Sequence, residues 1–316
     1  MSFRCIDLHC DTITRGKPDL NGTVTSLNEP ERMFCLSRLP EGSYAQCVSI
    51  FVPPAQVGRL GGEYFDLYAA SFRQQLETYA ARMAQCRTAK DVEAAWQAGK
   101  CAAILTAESA RALGGDAQRV EVLKNEGVKL LSLSWNDENE VASGSDTDRG
   151  ITDFGREVIP MLEDADITLD VSHLNDRGFE DLLKISRRPF VATHSNARAL
   201  SDCSRNLPDE YIQELVRRGG LMGLTFVPEF LHKPGDPEVG YAHVMEHLEH
   251  LSAIGAENIA AVGSDFDGTS MAPELRGAQK LPLLKDYLLR RGVGEELVEK
   301  MFWKNALRFM KDNFKA

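Results

Sequence analysis

A (β/α)₈ TIM-type barrel, one domain across residues 1–316, is the fold predicted by three observations. Short apolar or β-branched runs alternate with amphipathic helical stretches along the whole chain, which implies a parallel sheet with helices outside. There are eight such runs, the number that closes a barrel. No Pro/Gly/Ser-rich linker, low-complexity tract or internal repeat divides them. Periodicity does not report closure, so a doubly wound open sheet stays open as an alternative at this point.

In order, strands are expected at Arg4–His9, Ala45–Val52, Cys101–Ala107, Lys129–Ser134, Ile167–Ser172, Phe190–Thr193, Gly220–Thr225 and Ile259–Gly263. Helical patterns fall between them at Glu63–Gln85, Gly155–Asp164, Arg177–Ile185, Asp209–Arg217, Tyr241–Ile254 and Leu281–Leu289. Lys17–Pro30 and Pro228–Gly240 are rich in loop-forming residues and are expected to be long loops.

Charge excludes several function classes. With 36 Lys and Arg against 47 Asp and Glu, the formal net charge is −11, and no basic stripe exists. Nucleic acid and anionic membranes are therefore poor partners. The first residues, MSFRCIDLHCDT, hold no apolar run that reads as a signal peptide, and no stretch is long enough to span a bilayer. Seven scattered cysteines without a C-x-x-C pair fit reduced thiols, so a cytoplasmic location is expected.

The informative residues stand at the ends of the apolar runs. Strand one ends in Asp7-Leu8-His9-Cys10-Asp11, the third in Glu108, and the fifth in Asp170-Val171-Ser172-His173. The sixth ends in Thr193-His194 and the eighth in Ser264-Asp265. In a parallel barrel these ends share the rim where active sites sit. His9 and Asp11, two apart, face the same way, with Cys10 turned to the other face. Imidazole and carboxylate are the ligand types Zn²⁺ takes when one position stays open. Three histidines and two carboxylates hold two metals if one carboxylate bridges. Any one of these residues alone is unremarkable at a polar rim, whereas five together favour a metal site.

A rival motif lies further on. His243-Val244-Met245-Glu246-His247 matches the H-x-x-E-H pattern of inverzincin metalloproteases. Val244, Leu248 and Leu251 form the expected buried stripe of that helix, which puts His243, His247 and His250 at its margin and argues for helix-edge histidines.

Taken together, the D-x-H-x-D opening, Glu108, the DVSH and THSNAR segments, Arg205-Asn206-Leu207-Pro208-Asp209, the HLEHL helix and GSDFDG resemble the membrane (renal) dipeptidase family of zinc peptidases, over nearly the whole length and in order. The resemblance implies a metal-dependent hydrolase barrel with two Zn²⁺ per chain. His9 and Asp11 would hold one, His173 and His194 the other, and Glu108 would bridge. It also implies that Arg205 grips the substrate carboxylate, and that Asp265 contacts the amino end and transfers the proton. Dipeptides, including those with a C-terminal D-residue, would be hydrolysed by a metal-bridging hydroxide, and a homodimer would be expected. Trp135 stands where the renal enzymes carry a histidine that touches the substrate carbonyl, with Asn136 the nearest alternative donor. Another amide or lactone hydrolase of the same barrel, or a catalytically impaired metal-binding homologue, remains as an alternative.

Overall fold

The computed structural model describes residues 3–15, 26–232 and 239–315. Its strands are β1 (Phe3–Cys10), β2 (Gly42–Phe51), β3 (Met83–Gln85), β4 (Cys101–Glu108), β5 (Leu130–Ser132), β6 (Thr168–Asp170), β7 (Val191–Ala192), β8 (Leu221–Leu224) and β9 (Ala260–Val262). All pairings are parallel. The sheet runs β2-β1-β9-β8-β7-β6-β5-β4, and β2 also pairs with β4 from Ala45↔Ala102 to Phe51↔Glu108, which closes an eight-stranded barrel. The eight expected strands are these eight, most of them shorter than the apolar runs that announce them.

The ninth, β3, corrects the sequence reading. The expected helix Glu63–Gln85 is a helix only over Arg59–Thr78; the chain then turns, and Met83–Gln85 adds to the first residues of β4. A three-residue strand of Met, Ala and Gln has neither β-branched residues nor enough length to show an alternation. The expected long loop Pro228–Gly240 contains a helical turn, Pro228–Leu231. Residues 17–25 of the other expected loop lie outside the described residues.

The helices between strands begin and end where local chemistry allows. Thr152 accepts the N–H of Gly155 at 2.9 Å and Asn175 that of Gly178 at 2.7 Å, which cap helices Asp153–Asp164 and Asp176–Ile185. Gly219, at φ 70°, ends helix Asp209–Arg218. Their apolar faces, with Phe179, Leu182, Ile212 and Leu215 fully or almost fully buried, pack into the core. Ile6, Leu8 and Ile104 of the strands pack with Phe309 and Met310 of the C-terminal helix. Every strand thus runs from that buried foundation toward one rim, and the strand-end residues meet there.

Candidate metal centre and active site

Buried carboxylates below the rim fix the strand ends. Asp7 of β1 accepts the Ser264 N–H at 2.9 Å and the Ser264 hydroxyl at 2.6 Å, tying β1 to the segment after β9. Asp170 of β6 accepts the Thr193 N–H at 2.9 Å, its hydroxyl at 2.6 Å and the Ser132 hydroxyl at 2.6 Å. Sequence reading passed over both as candidates. The D-x-H and D-x-S-H spacing carries them, but a carboxylate that serves the scaffold is the same letter as one that holds a metal.

The strand-end residues converge. His9 Nε2 lies 3.4 Å from Glu108 Oε2, 3.6 Å from Asp11 Oδ1 and 3.9 Å from Asp265 Oδ1. His9 Nε2, Asp11 Oδ1 and Glu108 Oε2 are all buried without a hydrogen-bond partner. On the other side of Glu108, Oε1 lies 2.8 Å from His173 Nε2 and 3.8 Å from His194 Nε2, and those two nitrogens are 2.8 Å apart.

Their tautomers can be read from the outer partners. His173 Nδ1 meets Asn136 Oδ1 at 2.6 Å, and an amide oxygen only accepts, so Nδ1 carries the proton. Thr193 donates its hydroxyl proton to Asp170 and accepts from His194 Nδ1–H at 2.8 Å. Burial, with the charges of Arg205 and His9, holds His173 well below the ordinary histidine range. Burial, with the charges of His9, His173 and Arg205, does the same for His194. Both Nε2 atoms therefore present lone pairs to one another and to Glu108. Such a set repels itself without a cation at its centre, and neutral imidazole with carboxylate suits a divalent ion. His9, Glu108 and His194, and likewise His9, Asp11 and Asp265, bring possible ligand atoms within 4.8 Å of one another, which fits a metal centre.

The remaining groups respond to the same crowding. Burial and the charge of Asp11 raise Glu108 to about 8 against the lowering influence of His9. Burial raises Asp265 to about 7; His9 lowers it, and Asp11 adds to the rise. For His9, burial favours the neutral ring, but Asp11 and Glu108 outweigh it and hold the pKa well above the usual value. A Cβ on Gly268 would sit 2.0 Å from Asp265 Oδ1 and 2.5 Å from Asp11 Oδ2, so only glycine allows these carboxylates to approach.

A pocket of about 380 Å³ opens over the cluster, lined by Asp11, Glu108, His173 and Asp265 and by Phe51, Pro53, Tyr64, Tyr68 and Trp135. Asn136 is not in its wall; its carbonyl is engaged by His173 and by the Ser145 hydroxyl at 3.2 Å. Nor is Arg205 in the wall. It is buried, donates to the His194 carbonyl at 3.3 Å, leaves Nε without a partner, and has no carboxylate within 4.0 Å among the described residues.

The H-x-x-E-H motif resolves differently. His247 is not at the margin of its helix, as its spacing suggested, but fully buried. Its Nδ1 accepts the Ala197 N–H at 3.2 Å, and its Nε2–H donates to the Leu231 carbonyl at 3.0 Å. His243 Nδ1 accepts the Gly240 N–H at 3.3 Å, so the two rings do not share a metal. His243 and Glu246 instead lie near His232, with possible ligand atoms within 4.8 Å of one another.

The chain is similar to known proteins along most or all of its length. A protein from the pqqA 5′ region of Klebsiella pneumoniae, itself uncharacterised, is 31% identical over 253 residues, which are 77% of this chain and 93% of that one. The crystal structure of a metallopeptidase from Rhodobacter sphaeroides, liganded with a phosphinate mimic of the dipeptide L-Ala-D-Ala, superposes with a TM-score of 0.91 at 25% identity over 100% of both chains. A second crystal structure, of the metallopeptidase "dipeptidase AC" of family M19, gives 0.89 at 26% identity, again over 100% of both. The pattern of one family matches residues 1–315, and the chain belongs to it: the membrane dipeptidases, peptidase family M19, which are metal-dependent hydrolases of peptide bonds.

Proposed function

We propose that this protein is a two-zinc dipeptidase that cleaves free dipeptides and accepts a D-residue at the carboxyl-terminal position. One observation carries the reading: two pairs of metal-ligand side chains, His9–Asp11 and His173–His194, stand on either side of Glu108. The phosphinate dipeptide mimic held by the Rhodobacter relative supports the substrate class and the D-residue.

His9 and Asp11 would hold one ion, His173 and His194 the other, with Glu108 between them. Two bound zinc ions supply a Lewis acid for the scissile carbonyl and an acidified water as nucleophile. Asp265, in the pocket wall and 3.9 Å from His9, takes the proton of that water and returns it to the leaving amine. It also faces the substrate amino group. Arg205, buried behind the pocket wall, lies in the field of Asp265 and Glu108 but has no carboxylate within 4.0 Å among the described residues, which suits it to the substrate carboxylate as counter-ion. Asn136 holds the His173 ring in its working tautomer, and Trp135 forms pocket wall. A single-domain homodimer in a reducing compartment completes the reading; all seven cysteines are free thiols.

The test is a panel of free-acid and amidated dipeptides, L,L and L,D, given to chelator-stripped protein as zinc is added back. Turnover should rise until two equivalents are bound. A charged contact to the carboxylate is worth about 1.5–3 kcal/mol, so amidation should cost roughly ten- to 150-fold in kcat/KM, and Arg205→Ala should erase the difference. Equal cleavage of acids and amides would remove Arg205 from this role. Lactone or acyl-amide turnover without dipeptide turnover would replace the dipeptidase reading.

A further inference from the structure

We propose that the site selects dipeptides with one bulky apolar or aromatic side chain, received by a wall of four rings: Phe51, Tyr64, Tyr68 and Trp135. The inference rests on the dipeptidase reading and names its substrate class.

The four rings form two pairs. Phe51 and Trp135 stand 5.5 Å apart between centroids, tilted by 56°, and Tyr64 and Tyr68 stand 4.7 Å apart, tilted by 36°. All four line the pocket. Phe51, Tyr64 and Trp135 are only half-buried, so ring surface is left uncovered by protein. The Trp135 ring is 6.1 Å from that of His173, so the apolar wall begins beside the metal-facing cluster. Water on those ring faces is released when an apolar side chain covers them, and aromatic pairs of this geometry suit a further ring or branched chain. The pocket, about 380 Å³, is within the range of small-ligand sites and larger than two alanines fill.

Charge in the wall does not point to another class. Arg15 is its one cation among the described residues, and its guanidinium already donates to the carbonyls of Asp267 and Gly268. The carboxylates of the wall, Asp11, Glu108 and Asp265, belong to the metal and proton-transfer group. Apolar contact is what remains to distinguish one substrate side chain from another.

The test compares kcat/KM for Ala-Ala with Leu-Ala, Ala-Leu, Phe-Ala, Ala-Phe and Ala-Asp, each also with a D-residue at the carboxyl end. A single methylene in an apolar pocket is worth about ten- to 200-fold. The best bulky apolar dipeptide should therefore lead Ala-Ala by at least about tenfold. That ratio should collapse toward one in Phe51→Ala and Trp135→Ala, while Trp135→Phe should keep most of it. The wild-type panel decides even where a variant fails to fold. If Ala-Ala or Ala-Asp leads, or if the ratio survives both alanine variants, the wall has no such role. Cleavage of every dipeptide without preference defeats this inference alone, whereas no dipeptide turnover at all defeats the dipeptidase reading as well.

Discussion

Asn136 acts through another residue. Its carbonyl fixes the proton of His173 on Nδ1 and so leaves Nε2 free to face Glu108 and His194. His173 sits at φ 72°, where a non-glycine residue is strained, so its ring depends on such support. Removing a partner of this kind costs about 10- to 100-fold in metal affinity or activity. Asn136→Ala should therefore weaken metal binding at the His173 side of the cluster and lower kcat by roughly that factor. Asn136→Asp, which keeps an acceptor oxygen, should recover most of the metal affinity. Zinc titration monitored against a chromophoric chelator reads the first, steady-state kinetics the second. Unchanged zinc binding in Asn136→Ala would remove the residue from the metal centre. Trp135→Phe, by contrast, should act mainly on KM, because it changes pocket wall and no ligand contact.

At the scale of elements, the connection after β5 holds both residues in place. Arg111 makes a two-pronged ion pair with Asp137 at 3.2 and 2.8 Å, and Asn139 donates to the Leu133 carbonyl at 2.9 Å. Gly144 passes so close beneath that a Cβ would lie 1.7 Å from the Trp135 carbonyl oxygen. Forcing backbone apart in this way costs about 1–3 kcal/mol, so Gly144→Ala should lower the melting temperature and shift Trp135 and Asn136 together. A variant with wild-type melting and kinetics would show that the connection yields freely. The helix Tyr241–Ala253 gives a pH test. Burial lowers His247 to about 4 from the ordinary 6.5, against the raising influence of its bond to the Leu231 carbonyl and helped by the neighbouring histidines. The unfolded chain then binds the extra proton between these values. Stability is full above about pH 6.5, falls as pH drops toward 4, and loses up to about 3 kcal/mol by then. His247→Gln should flatten that slope in pH-dependent melts; an identical slope would contradict it. The same elements show what the sequence disclosed. Strand runs ending in His9, Glu108, His173, His194 and Asp265 were legible because apolar stretches and polar termini are local patterns. Asp170–Thr193–His194 and Asn136–His173 were not, since each joins segments remote in sequence and becomes visible only once strands pair. β3 was too short to signal itself, and His247 looked like a helix-edge residue because spacing does not reveal the Ala197 and Leu231 segments that cover it.

Across the whole molecule, the rim holds unfavourable features that the rest of the fold must offset. Ser109, His173, Asp265 and Asp267, at or next to the site, are four of five described non-glycine residues with positive φ, each costing of order 1 kcal/mol. Burial first, and then the charge of Asp11, holds the Glu108 and Asp265 carboxyls near neutral pH. Bound cations offset both causes, so metal binding is linked to stability. At free zinc 1,000-fold above Kd, one site contributes about 4 kcal/mol, and at about 2 °C per kcal/mol for a chain this large each bound ion should raise the melting temperature by roughly 8 °C over the stripped protein. Glu108→Gln separates the causes, because it keeps the shape and removes the charge. The stripped variant should melt no lower than stripped wild type, since one buried carboxylate has left the cluster. Its gain on adding zinc should shrink to less than half, because the amide offers one neutral oxygen where the carboxylate would offer two charged ones. Calorimetry of the four samples, wild type and variant with and without zinc, settles the matter. A stripped variant that melts several degrees below stripped wild type would mean that Glu108 supports the barrel itself, and that the lone-pair cluster is not kept for metal.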